Sequence, residues 1–159
     1  MAYALLKVVH LLSVIVWVGG MFFVLACLRP ALAVLEAPPA RVRLMHAALR
    51  RFFTAVLVAA AAVLVSGVVM IGSVAASSSR AGLPFNMPID WHVMAIVGTL
   101  MVAIFGHIRA VLYRRLDRAV AAQDWPAGGA ALASIRRWVI VNLVLGVAIV
   151  VVTRLGAAA

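Results

Sequence analysis

Acidic side chains are nearly absent from this chain: Glu36, Asp90, Asp117 and Asp124 are the only four among 159 residues. Charged residues of both signs together make up 11%, where a soluble domain carries about a quarter. An ordinary water-facing globule is therefore excluded. Cysteine is scarce as well: with Cys27 alone, no intrachain disulfide can form, and cysteine usage says nothing about redox compartment. The chain also has no Ser/His/Asp set, phosphate loop, HExxH or CxxC. Hydrolase and nucleotide-binding readings have no support, and no catalytic residue is assigned.

What is present is apolar. Hydrophobic residues make up 67% of the chain and mean hydropathy is +1.20. A bilayer core of about 30 Å takes about 20 apolar residues in a helix rising about 1.5 Å per residue. Four segments meet that requirement, at 5–28, 52–76, 91–112 and 137–156. The reading is an all-α integral membrane protein, a single domain over 1–159 forming a four-helix up-down bundle. Segment two ends at the Ser77-Ser78-Ser79 loop, and segment three follows Pro84 to Pro88 with Asp90 as its N-cap. The second helix is expected to extend back to Arg41 and the third forward to Gln123. The chain is expected to break at Asp124-Trp125-Pro126 and Gly128-Gly129.

The net charge of +10 sorts along these spans. Arg29, Arg41, Arg43, Arg50 and Arg51 fall in loop one; Arg109, Arg114, Arg115, Arg118, Arg136 and Arg137 flank loop three; loop two holds only Arg80. By the positive-inside rule, loops one and three are cytoplasmic, and both termini face the periplasmic side of a bacterial-type inner membrane. The basic charge is thus a topology signal and a set of contacts to anionic headgroups, not a nucleic-acid footprint. A cleavable signal peptide is not expected, because the first apolar run is long and has no basic region before it. Val24-Leu25-Ala26-Cys27 is not read as a lipoprotein box, since Cys27 falls at the inner end of that run.

No acid lies within the four spans, which disfavours proton- or sodium-coupled transport and oxygen-loving cations. Imidazole, thioether and one thiol remain, the ligand types of copper and of haem iron. His10 and His92 are expected to form an outer pair. His107, 15 residues and so about 22 Å further along, makes an inner pair with His46. Met70 and Met87 are the candidate outer sulfur donors, and Cys27 an inner one. On the first helix Lys7, His10, Ser13, Trp17, Gly20 and Val24 share a stripe, and Gly19-Gly20 allows close approach. On the third, His92, Ile96, Thr99, Ala103 and Gly106 share one, with Met94 about 160° from His92. Asn142, four residues before Gly146, is expected to make an interhelical hydrogen bond beside a small-residue contact.

The run Leu6-Lys7-Val8-Val9-His10-Leu11-Leu12-Ser13, continuing to Trp17-Val18-Gly19-Gly20, resembles the first helix of the copper-resistance protein D (CopD) family. Arg50-Arg51-Phe52-Phe53 with Ser66-Gly67, and Arg136-Arg137-Trp138 with Leu143 to Gly146, resemble its later helices. The resemblance implies an inner-membrane protein that handles copper beside a periplasmic partner. More distantly, the Lys7–His10 spacing, Arg29-Pro30 and Trp91-His92 resemble HemJ-type, haem b-binding four-helix proteins. Met94 stands where that family has Lys, and Leu143 follows Asn142 where it has Glu. That resemblance implies His10 and His92 as haem ligands. Three readings therefore stand: copper handling, a haem b redox protein with axial histidines drawn from His10, His92, His107 and His46, and a cofactor-free scaffold. Oxidoreductase activity and an electron-transfer partner belong to the second only. A homodimer through small-residue faces fits all three.

Overall fold

The computed structural model describes the backbone of residues 1–156 and the side chains of residues 1–153. Four helices long and apolar enough to cross a membrane make up nearly all of it: α1 (Ala2–Val34), α2 (Pro38–Arg80), α3 (Ile89–Ala121) and α4 (Trp125–Gly156). Hydrocarbon offers backbone groups no hydrogen-bond partner, so each span must satisfy its own amides, and a helix does this within one segment. The chain is a multi-pass membrane protein. Large side chains such as Leu12, Ile15, Phe22, Val58 and Val144 stand outward, on the surface that lipid covers.

At the basic end α2 runs back as helix to Pro38 and α3 forward to Ala121, as their sequences suggest. At about 1.5 Å per residue, the 43 residues of α2 reach about 65 Å, twice the hydrocarbon thickness. The extensions stay folded because they bury a coiled-coil-like seam. On α2 it runs Val42, Met45, Leu49, Phe53, Val56; on α3, Phe105, Ile108, Leu112, Leu116 and Ala119. One continuous core draws on all four helices, with α1 packed mainly on α2 and α3 mainly on α4.

The helix ends differ from the expected ones in three places. Ser77 to Ser79 continue α2 instead of forming a loop, the Ser77 hydroxyl donating back to Ser73 O and Val74 O. The helix then stops in a Schellman turn: Gly82 sits at φ +68°, with Leu83 N–H on Ser78 O and Gly82 N–H on Ser79 O. Asp90 is not the N-cap of α3; Pro88 is, and Asp90 lies in the first turn, where its charge complements the helix dipole. The break before α4 takes only residues 122–124. Gln123, at φ +56°, closes α3, with Asp124 N–H on Ala119 O. Asp124 then caps α4 by accepting Ala127 N–H at 3.0 Å. Trp125-Pro126 therefore start the helix, proline being suited to its first turn, and Gly128-Gly129 lie within it.

That three-residue corner is testable. Gln123→Gly removes a left-handed penalty of about 1 kcal/mol and is expected to raise the thermal midpoint in detergent. Asp124→Ala removes the cap and is expected to cost about 1 kcal/mol; equal midpoints for both variants would contradict the assignment.

Candidate functional site

The end of the bundle opposite the arginines is more loosely packed, and a cavity of about 250 Å³ lies there between all four helices. His10 and Trp17 line it from α1, Val63 and Gly67 from α2, Met94 and Met101 from α3, and Gly146 and Thr153 from α4. Small residues make the room. At Gly67 an added Cβ would come within 3.6 Å of the His10 ring, and at Gly146 within 3.0 Å of Val18 and 3.1 Å of Met101. The close approach expected at Gly19-Gly20 is made by Gly20 alone, against the Phe52 ring; a Cβ on Gly19 would meet nothing.

His10 is held by its neighbour on α2. His10 Nδ1 lies 2.9 Å from Ser66 Oγ, and Ser66 is 2% exposed. The serine hydroxyl has a single proton, directed at its own helix: Ala62 O lies at 2.5 Å and Val63 O at 3.2 Å. Ser66 Oγ must therefore accept from the histidine, so Nδ1 carries the ring proton and Nε2 keeps its lone pair. A buried hydrogen bond that fixes the tautomer and orientation of an imidazole is the usual support for a ligating histidine. His10, Met94 and Met101 thus line one cavity with an imidazole nitrogen and two thioethers, the two methionines standing two turns, about 10 Å, apart along α3. Imidazole and thioether are the ligand types of a soft monovalent ion such as Cu(I).

The other candidates lie elsewhere. His92 is exposed and donates from Nδ1 to Pro88 O at 3.0 Å; it does not line the cavity, so the outer histidine pair is not assembled there. Nor do Met70 and Met87 line it. The reason is the rotation of α3. Its core face carries Met101, Ile104 and Phe105, and His92, nine residues before Met101, lies about 180° round the helix. The stripe expected to face inward points mostly outward, with Ile96 68% exposed. The inner pair is not gathered either. His46 donates from Nε2 to Asp117 Oδ1 at 2.6 Å and stacks on Tyr113 with ring centroids 5.4 Å apart. His107 packs edge-on against Trp138 at 5.5 Å, and Cys27 is exposed. Among the described residues no group of three His, Cys, Asp or Glu side chains converges as a metal site.

Sequence reading passed over Met94 and Met101 as donors. The signal was in the 160° separation of Met94 from His92, since only one of the two can face the core. Lacking was any pattern to say which, because α3 is apolar on every side.

Asn142 is 1% exposed and its Oδ1 has no hydrogen-bond partner. The expected interhelical hydrogen bond to this oxygen does not form, while the expected small-residue contact at Gly146 does.

Against this geometry stand the comparisons with known proteins. The family model described as Copper resistance protein D matches residues 46–155, which covers α2 from its amphipathic extension onward, all of α3 and nearly all of α4. The chain belongs to the CopD family, a copper-resistance membrane family. The His10 motif on α1 lies outside the matched span. No curated protein and no solved structure matches the chain.

An unpaired buried acceptor costs about 1–3 kcal/mol. Asn142→Leu, close in shape, is therefore expected to leave the detergent melting midpoint unchanged or higher; a loss above about 1 kcal/mol would mean that the amide is satisfied by something bound.

Proposed function

We propose that this CopD-family protein binds Cu(I) as cargo in the cavity beneath His10, with His10 Nε2 and a thioether of Met94 or Met101, which stand two turns apart on α3, as ligands. The observation that carries the reading is the Ser66 lock: it leaves the histidine with a lone pair on the nitrogen that has no protein partner. Soft sulfur donors and neutral imidazole select Cu(I) over hard cations, and the cavity walls contain no carboxylate. With the arginine-rich end cytoplasmic, as the charge asymmetry argues, the cavity lies in the periplasmic half of a bacterial inner membrane. It can there receive copper from a periplasmic donor. Delivery to the far side by a chain of ligands through Cys27, His46 and His107 has less support, because His46 is engaged with Asp117, His107 with Trp138, and Cys27 stands apart and exposed.

The haem reading fits less well. Axial ligation by two histidines needs a second imidazole facing His10, and His92 lies on the opposite side of α3. A space of about 250 Å³ is also small beside the roughly 300–1,000 Å³ of sites for drug-sized ligands, and a porphyrin is at least that large.

Anaerobic Cu(I) titration of detergent-purified protein against a chromogenic chelator tests the proposal. One ion per chain is expected, and His10→Ala and the double variant Met94→Leu/Met101→Leu should each weaken binding at least tenfold. Ser66→Ala should weaken it by roughly 10- to 100-fold through loss of orientation. Unchanged affinity in His10→Ala would sink the site, and a red preparation with a strong Soret band would favour haem instead.

A further inference from the structure

At the basic end a second cleft, of about 450 Å³, opens between the end of α1 and the beginnings of α2 and α4. Its floor is apolar, formed by Val24, Leu25, Leu32, Leu49, Leu132 and Val139, and its rim carries Arg29, Arg41 and Arg136. No acidic residue lines it. The acids of the chain are occupied or distant: Asp117 is bonded to His46, Asp124 caps α4 and Asp90 lies at the opposite end of the bundle. Glu36, in the short α1–α2 connection, forms no ion pair among the described residues. Three guanidinium groups thus surround an apolar floor with no counter-charge in the cleft.

Arg41 is fixed in place. Its Nε donates to Leu35 O at 2.5 Å and its Nη2 to Ala33 O at 3.4 Å, tying the start of α2 to the last turn of α1. This occupies two of its five N–H donors. Arg29 and Arg136 are exposed and make no hydrogen bond or ion pair to described residues, so their donors face the rim unused.

We propose that this cleft binds an anionic glycerophospholipid, its phosphate held by Arg29 and Arg136 and one acyl chain lying along the Leu25–Leu32–Leu132 floor. Guanidinium groups match phosphate oxygens in a two-pronged geometry, and basic clefts between membrane helices are where anionic headgroups settle. The apolar floor calls for a ligand with a hydrocarbon part, which a free phosphate lacks. The cleft also lies where α1 ends and α4 begins, among the arginines that gather at that end of the bundle. A lipid seated there bridges the N-terminal and C-terminal helices of the bundle.

The test is lipid binding by native mass spectrometry and thermal shift on detergent-purified protein, comparing phosphatidylglycerol with phosphatidylcholine. Wild type is expected to prefer phosphatidylglycerol. At about fivefold per arginine, Arg29→Gln/Arg136→Gln should lower affinity for it roughly 25-fold and weaken phosphatidylcholine, whose phosphate is offset by choline, by less, so that the preference is lost. The control Arg114→Gln/Arg115→Gln, which removes two exposed charges from the same end, should retain the preference. Ala133→Trp fills the cleft while keeping every charge, and should weaken binding of both lipids without loss of helical circular dichroism. Equal affinity for the two lipids, or an equal loss in the control, overturns the proposal. Competition by soluble glycerol phosphate at comparable affinity also overturns it, by making the site one for phosphate alone.

Discussion

Hydrocarbon cannot solvate a polar group, and most of this structure follows from that constraint. It makes every span a helix and turns the few hydroxyls back on their own helices, as at Ser66, Thr99 and Thr153. The same constraint shapes the candidate site. Because the Ser66 proton is already committed to its backbone, the hydroxyl is left as an acceptor for His10. The imidazole tautomer follows from two needs met by one side chain. A group that needs a partner for stability is thereby prepared as a ligand.

Packing is divided between the two ends. Trp17, Phe105, Phe53 and Tyr113 meet edge to face at centroid distances of 5.5 to 6.2 Å, and His46 stacks at the end of this column. The column crosses between α1, α3 and α2 and leads toward the arginines, where Leu49, Ile108 and Leu116 are almost wholly enclosed. Edge-to-face aromatic pairs add about 0.5–1.5 kcal/mol each beyond burial, so this half holds the bundle in register. The opposite half, with Gly67 and Gly146 against small and flexible side chains, keeps the open space that the site needs.

How far the residues alone revealed this varied by element. The four spans and the helical extensions of α2 and α3 were readable because length, apolarity and amphipathic periodicity are local properties. Most of the stripe read on α1 does turn inward, with His10 lining the cavity and Trp17 and Val24 buried, while Lys7 at its outer end is exposed. On α3 no such asymmetry exists: apolar residues surround the helix, and the stripe chosen through His92 was the outward one. Helix ends were misread where one residue served two roles. Asp124 closes α3 through its backbone and opens α4 through its side chain, so the break needed three residues rather than a proline- and glycine-rich loop.

The sequence by itself determined that this is a membrane bundle, that its charge gathers at one end and that its useful ligands are imidazole and thioether. These depend on composition and on spacing along single helices. Only the tertiary structure decided which of those ligands meet. Rotation of α3 about its axis is set by packing chiefly against α4 and then α2, and that rotation carries Met94 and Met101 into the cavity that His10 lines while leaving His92 and His107 outside it.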